Sequence, residues 1–132
     1  MLKVLLDTNI LISAMFFGNA KINKLITRII DNGQIILTDY SINELYRVAQ
    51  NKFSAEKADI EVFLNSFPYI AIKTPDSFGN IPKMRDEKDT PILAAALEFG
   101  CNIIVSGDKD FLSLEIENPK IMSITDFIET YQ

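Results

Sequence analysis

Along the chain, apolar runs of strand length alternate with stretches whose apolar residues recur every three or four positions. Residues 2–6 form the first run, and it ends on Asp7. Residues 9–16 stay apolar and predict a helix buried on most sides. From Asn19-Ala20, the positions Ile22, Leu25, Ile26, Ile29 and Ile30 fall on one helical face, and Asn32-Gly33 predicts its end. Residues 34–38 predict a second strand. Asp39 to Ser41 cap a helix through about Gln50, with Ile42, Leu45, Tyr46 and Ala49 on one face. Ser54 is expected to cap a further helix with the stripe Ile60, Phe63, Leu64 and Phe67.

Residues 69–72 predict a short third strand. Residues 74–88, with Pro75, Gly79 and Pro82, form the one long irregular stretch, a length often tied to function. Thr90-Pro91 predicts a helix start, with Thr90 as cap and Pro91 first in the helix, and Gly100 ends it. Residues 102–105 predict a fourth strand, followed by a loop over 106–111. A last strand over 120–122 and a helix from Thr125 to Tyr131 complete the pattern. Strand and helix alternate throughout, so a parallel sheet covered on both faces is expected.

Composition narrows the chemistry more than the fold. A chain of 132 residues suits one domain with one core, so residues 1–132 are expected to act as a single unit. No apolar run is long enough for a membrane span, and Asp7 and Asn9 interrupt what would be the core of a secretory leader. The single Cys101 has no internal partner, which fits a reduced, cytoplasmic setting. The chain has no histidine, which excludes His-based triads, His zinc sites and His general bases. The net charge of −5 argues at first against a nucleic-acid partner. With four of the 18 acids set aside as cation ligands, 14 acids stand against 13 bases, and the objection weakens.

The acids then carry the argument. Asp7 follows the first strand and Asp108 the fourth, so both are expected at the carboxyl edge of the sheet, where open parallel sheets bind ligands. Glu44 lies in the helix after the second strand, and Asp89 precedes the helix leading to the fourth. Carboxylates gathered without His or Cys suit a hard cation with oxygen ligands, Mg²⁺ or Mn²⁺. Each close carboxylate pair would otherwise cost roughly 1–4 kcal/mol. The reaction class that follows is phosphodiester hydrolysis, with one or two ions.

Four segments together resemble a PIN domain: Leu5-Leu6-Asp7-Thr8-Asn9-Ile10-Leu11, Ser41-Ile42-Asn43-Glu44-Leu45, Asp86 to Ala96, and Ile104-Val105-Ser106-Gly107-Asp108-Lys109-Asp110-Phe111. The resemblance is in particular to small prokaryotic, VapC-like PIN proteins assigned as toxins of toxin–antitoxin pairs. It implies a three-layer α/β/α sandwich with a five-stranded parallel sheet in the order 3-2-1-4-5. It implies a Mg²⁺- or Mn²⁺-dependent endoribonuclease acting on single-stranded or structured RNA, a homodimer and an antitoxin protein as partner. By position Asp7, Glu44, Asp89 and Asp108 match the family's acidic quartet, as metal ligands and catalytic groups. Thr8, Asn9 and Ser106 match supporting positions, and Asp86 and Asp110 match assisting acids, with Asp86 and Asp89 able to exchange roles.

Each residue also has a plainer reading. Asp7 is a natural helix cap. Glu44 can pair with Arg47 one turn on. Asp89 suits the positive end of the next helix, and Asp108 a turn after Gly107. Asp110 reads as a cap for Phe111-Leu112. Arg85, Lys88 and Lys109 flank the expected crevice as RNA phosphate contacts, against a solvated-loop reading that is favoured for Lys83. A non-catalytic RNA- or partner-binding module is the main alternative function. An acid-site phosphatase is the lesser one, since Asn9 stands where that chemistry wants a second Asp.

Overall fold

The computed structural model describes residues 1–79, 81, 82, 84 and 87–132. Five strands form one sheet: β1 Leu2–Leu6, β2 Gly33–Thr38, β3 Ile70–Ile72, β4 Ile103–Val105 and β5 Lys120–Met122. Every neighbouring pair is parallel, and the order is β3-β2-β1-β4-β5, as expected, with β1 central. In register, Leu5 lies beside Ile36 on one side and Ile104 on the other.

The two-residue period of the strands sorts the core into two layers. Val4, Leu6, Ile35, Leu37, Ile103 and Val105 pack on one face, and Leu5, Ile36 and Ile104 on the other. Five helices supply the first face: α1 Thr8–Phe16, α2 Ala20–Asn32, α3 Asp39–Phe53, α4 Lys57–Leu64 and α7 Ile124–Thr130. The second face is covered by α5 Thr90–Phe99 through Ile92, Leu93, Ala95 and Ala96, and by Phe111 of the short α6 Lys109–Leu112. The small alanines let α5 lie close on the sheet. The result is the three-layer α/β/α sandwich. Among the described residues no helix is long and apolar enough to cross a membrane.

The element boundaries differ from the sequence expectation where packing intervenes. Helix α2 ends at Asn32 with Gly33 as its cap, as expected, but Gly33 is extended and already belongs to β2, which starts one residue early. A Cβ there would sit 2.1 Å from the Leu2 carbonyl oxygen, so glycine is needed for the close approach to β1. Helix α3 starts one residue early, capped by the Thr38 hydroxyl, and runs on to Phe53, whose ring stacks on Phe16. Ser54 therefore ends α3, at φ 51°, instead of capping α4, which begins at Lys57 after Glu56. A 3₁₀ turn over Glu87–Asp89 runs into α5, so Thr90 is already helical and Asp89 holds the cap position, without a side-chain capping bond. Gly100 ends α5 as expected, in the left-handed region.

Candidate active site

The carboxyl ends of β1, β4 and β5 are stitched together beyond their ladders. The Asp7 N–H donates to the Val105 carbonyl at 3.3 Å, and the Ser106 N–H to the Met122 carbonyl at 3.0 Å. These bonds set Asp7 and Ser106 side by side, although 99 residues separate them.

Asp7 is 2% exposed. Its Oδ1 accepts the Ile10 N–H at 3.0 Å and caps α1. Its Oδ2 accepts the Ser106 hydroxyl proton. The Ser106 Oγ in turn accepts the Asp108 N–H at 2.9 Å, and the Asp108 Oδ1 accepts the Asp110 N–H at 2.9 Å. Asp108, not Asp110, is thus the cap of α6. The chain of bonds runs from one acid to the next through Ser106. Burial pushes the Asp7 carboxyl above its ordinary value, and the charge of Asp108 adds to the rise. Hydrogen bonds from Ser106 and Ile10 oppose it without cancelling it.

Released from capping, Asp110 joins the acids. Asp89, Asp108 and Asp110 each offer a carboxylate oxygen, all within 4.8 Å of one another. Asp89 reaches this point from the 3₁₀ turn ahead of α5. Asp7, Glu44, Asp89 and Asp108 all line one cleft of about 350 Å³, shared with Thr8, Asn9, Arg47 and Lys88. The four acids expected from the sequence therefore line one cleft, while the carboxylates that gather within 4.8 Å are those of Asp89, Asp108 and Asp110. An all-oxygen donor set, in a chain without histidine, fits a hard divalent cation.

Glu44 enters from the opposite wall, on α3. Its carboxylate takes two bonds from the Arg47 guanidinium, Nε to Oε1 at 3.1 Å and Nη2 to Oε2 at 2.8 Å. This pairing holds the Glu44 carboxyl below its ordinary value, and Lys88 contributes in the same direction. The plainer reading of Glu44, a pair with Arg47, is thus also present in the structure.

Thr8 lines the cleft and ties two helices, its hydroxyl donating to Ser41 Oγ at 2.9 Å. The Ser41 N–H is held by Thr38 Oγ1 at 2.9 Å. Ser41 is fully buried and sits one turn before Glu44, so this chain of hydroxyls fixes the face of α3 that carries the acid. The sequence marks Thr38 with no part in the site, and Ser41 only as the first residue of the segment that carries Glu44. The signal was the three-residue spacing from Ser41 to Glu44. Asn9 is exposed at the cleft. Lys88 lines the cleft, whereas Lys109 is exposed on α6 and is not among the lining residues. Lys83, Arg85 and Asp86 fall outside the described residues.

A family model described as PIN domain matches residues 3–110. The chain is 28% identical to uncharacterized protein MJ1680 of Methanocaldococcus jannaschii over 146 aligned positions, covering 99% of this chain and 92% of that one. In fold it is similar to a chain in the crystal structure of VapBC2 from Rickettsia felis bound to a DNA fragment from their promoter. That match has a TM-score of 0.69 and 18% identity, and covers 92% of this chain and 98% of the other.

Proposed function

The chain belongs to the PIN domain family, whose members are generally nucleases, and from that premise we propose a divalent-metal-dependent endoribonuclease that cuts single-stranded RNA. One observation carries this reading: Asp7, Glu44, Asp89 and Asp108, brought from four separate parts of the chain, line a single cleft at the carboxyl edge of the sheet. In this reading Asp7, Asp89 and Asp108 hold the cation, Mg²⁺ or Mn²⁺, with Glu44 completing the set and Asp110 assisting. A cation held there supplies an activated water and neutralises the charge that develops on the leaving oxygen.

The protein's own part is positional. Ser106 and the Ile10 amide fix both oxygens of Asp7 before any substrate arrives. The Asp108 amide anchors Ser106, so one hydroxyl links the two strand-end acids. Thr8, Ser41 and Thr38 hold α3 against α1 and keep Glu44 facing the cleft. Lys88, and Arg85 and Lys109 by sequence position, are assigned to RNA phosphates.

The likeness to a VapBC2 structure supports a further proposal, that the protein is the toxin of a toxin–antitoxin pair. It would then act in the cytoplasm as a homodimer restrained by an antitoxin, with residues 1–132 as one nuclease unit.

The test is cleavage of a panel of single-stranded RNAs by wild type and Asp7→Asn, in EDTA, Mg²⁺ and Mn²⁺. Cleavage that needs both the cation and Asp7 is expected. Cleavage in EDTA, or a wild-type rate in Asp7→Asn, would refute the metal-site reading. RNA binding without cleavage or cation binding would favour a binding module.

A further inference from the structure

Lys88, assigned above to an RNA phosphate, lines the cleft from the turn that leads into α5. The opposite rim is built by the last turns of α3, where Arg47, Lys52 and Phe53 line the same cleft as the acids. Phe53 carries an aromatic cluster. The Phe16 ring lies against it, with centroids 3.9 Å apart and planes within 9°, and Phe17 meets it edge-on at 5.8 Å and 72°. This cluster is not buried: Phe53 is 38% exposed and Phe17 is 61% exposed. Exposed aromatic surface held rigidly by ring–ring contacts is uncommon on a solvated rim, and here it stands beside two cations at the mouth of an acid-lined cleft.

We infer that this rim is the substrate-strand platform: an unpaired nucleobase stacks on the exposed Phe53–Phe17 surface, and the backbone next to it runs along Lys52 and Arg47. The inference rests on the nuclease reading and adds which residues grip the strand. It also gives a reason for single-stranded substrate, since paired bases in a helix have both faces covered by their neighbours, whereas a splayed base can stack on an aromatic ring. Arg47 suits the role. Its Nε and Nη2 hold Glu44, and the side chain stays 57% exposed, so its remaining N–H groups are available to a phosphate while the pair persists. A protein partner is the less favoured occupant, because the apolar surface is a few rings bounded by cations and not a broad face.

The experiment measures binding of fluorescein-labelled ten-nucleotide oligouridylates to the Asp7→Asn protein in Mg²⁺, where cleavage is blocked. One set is intact, and a second set carries a single abasic position moved along the strand. Added to this background, Phe53→Ala should weaken intact RNA about 5- to 150-fold, the range for losing one base–aromatic stack. An abasic site at one position should cause a similar loss, and the two losses should not add. Phe53→Trp should retain binding, and Phe17→Ala, at the most exposed ring, should give a smaller loss with an unchanged melting temperature. Lys52→Gln should lower the slope of log affinity against log salt by about 0.7.

Equal binding by the Phe53→Ala and parent proteins, or no abasic position that matters, would overturn the platform and leave the nuclease reading standing. Absence of RNA binding by the parent, alongside absence of RNA cleavage by wild type, would overturn both. Loss of self-association in Phe17→Ala or Phe53→Ala with RNA binding unchanged would overturn the platform and assign the rings to a protein interface.

Discussion

The two walls of the cleft hold their carboxylates by different means. On the sheet-edge wall, Asp7 is buried, and both its oxygens are fixed by donors from Ile10 and Ser106. Its ionised form is disfavoured, because burial outweighs those bonds. On the helix wall, Glu44 is partly exposed and its ionised form is favoured, because the flexible Arg47 side chain reaches it from one turn away and the charge of Lys88 adds to the effect. The first wall is a rigid part of the fold. The second is a solvent-screened pair whose geometry can change without disturbing the core. On the proposed reading, a cation held between the walls would join a fixed ligand to an adjustable one.

Asp7→Asn should give the largest effect on that contrast. RNA cleavage should fall by more than the roughly 10–100-fold typical of losing a residue that only supports a ligand. Stability should move the other way. Asn can still cap α1, and it removes a carboxylate whose folded pKa is raised. A raised carboxyl favours the fold at low pH, and that advantage is lost as pH rises through the folded pKa. In chelator the variant should therefore gain on wild type in melting temperature from about pH 4 to pH 7. A marked drop instead would make Asp7 a structural residue.

Ser106→Ala breaks the same wall from behind. It deletes the donor to Asp7 and the acceptor of the Asp108 amide. Mn²⁺ affinity by calorimetry should fall roughly 10–100-fold, and stability by about 1–3 kcal/mol for the buried groups left unmatched. Because the lost bond favours ionised Asp7, its pKa should rise further, and the acidic limb of the activity profile should move to higher pH. A pH profile identical to wild type would show that Ser106 does not act through Asp7.

Asp39 sharpens the comparison from outside the cleft. Its partial burial opposes ionisation, but bonds from the Thr74 hydroxyl, the Thr74 amide and the Tyr40 amide outweigh it, and its carboxyl lies below the ordinary value. Here the ionised form stabilises the fold, and the contribution is lost as pH falls through the folded pKa. Asp39→Ala should cost about 1–3 kcal/mol at pH 7, a gap that closes below about pH 4. It should leave Mn²⁺ affinity unchanged. A gap that persists in acid would point to packing instead of charge.

Glu44→Gln should give the smallest change in stability, with no measurable shift in melting temperature, because the pair it breaks is screened. Its effect is expected in catalysis alone, as a cleavage loss smaller than that of Asp7→Asn. A large loss of stability would mean that the helix wall is as rigid as the sheet edge.

Much of this was legible in the residues. The strand runs, the helix faces and the order of elements follow from periods of two and 3.6, which are local properties. So is the position of Asp7 and Asp108 beyond apolar runs, which a parallel sheet must bring to one edge. The errors came where a local signal had a distant competitor. Ser54 looked like a cap for the next helix, but Phe16 drew α3 onward through Phe53. Asp110 looked like the cap of α6, but Asp108 reached that place first, and Asp110 was left for the cluster with Asp89.

The sequence by itself determined the alternating α/β pattern, the absence of histidine chemistry and the acids at strand ends, because each depends on residue type and near neighbours. The tertiary structure decided which acids share a cleft, that Ser106 would grip Asp7 across 99 residues, and that Arg47, Lys52 and Phe53 would form its far rim. Those relations depend on strand register and on how α3 packs against α1. Both are set by the fit of the whole core, which no local period encodes.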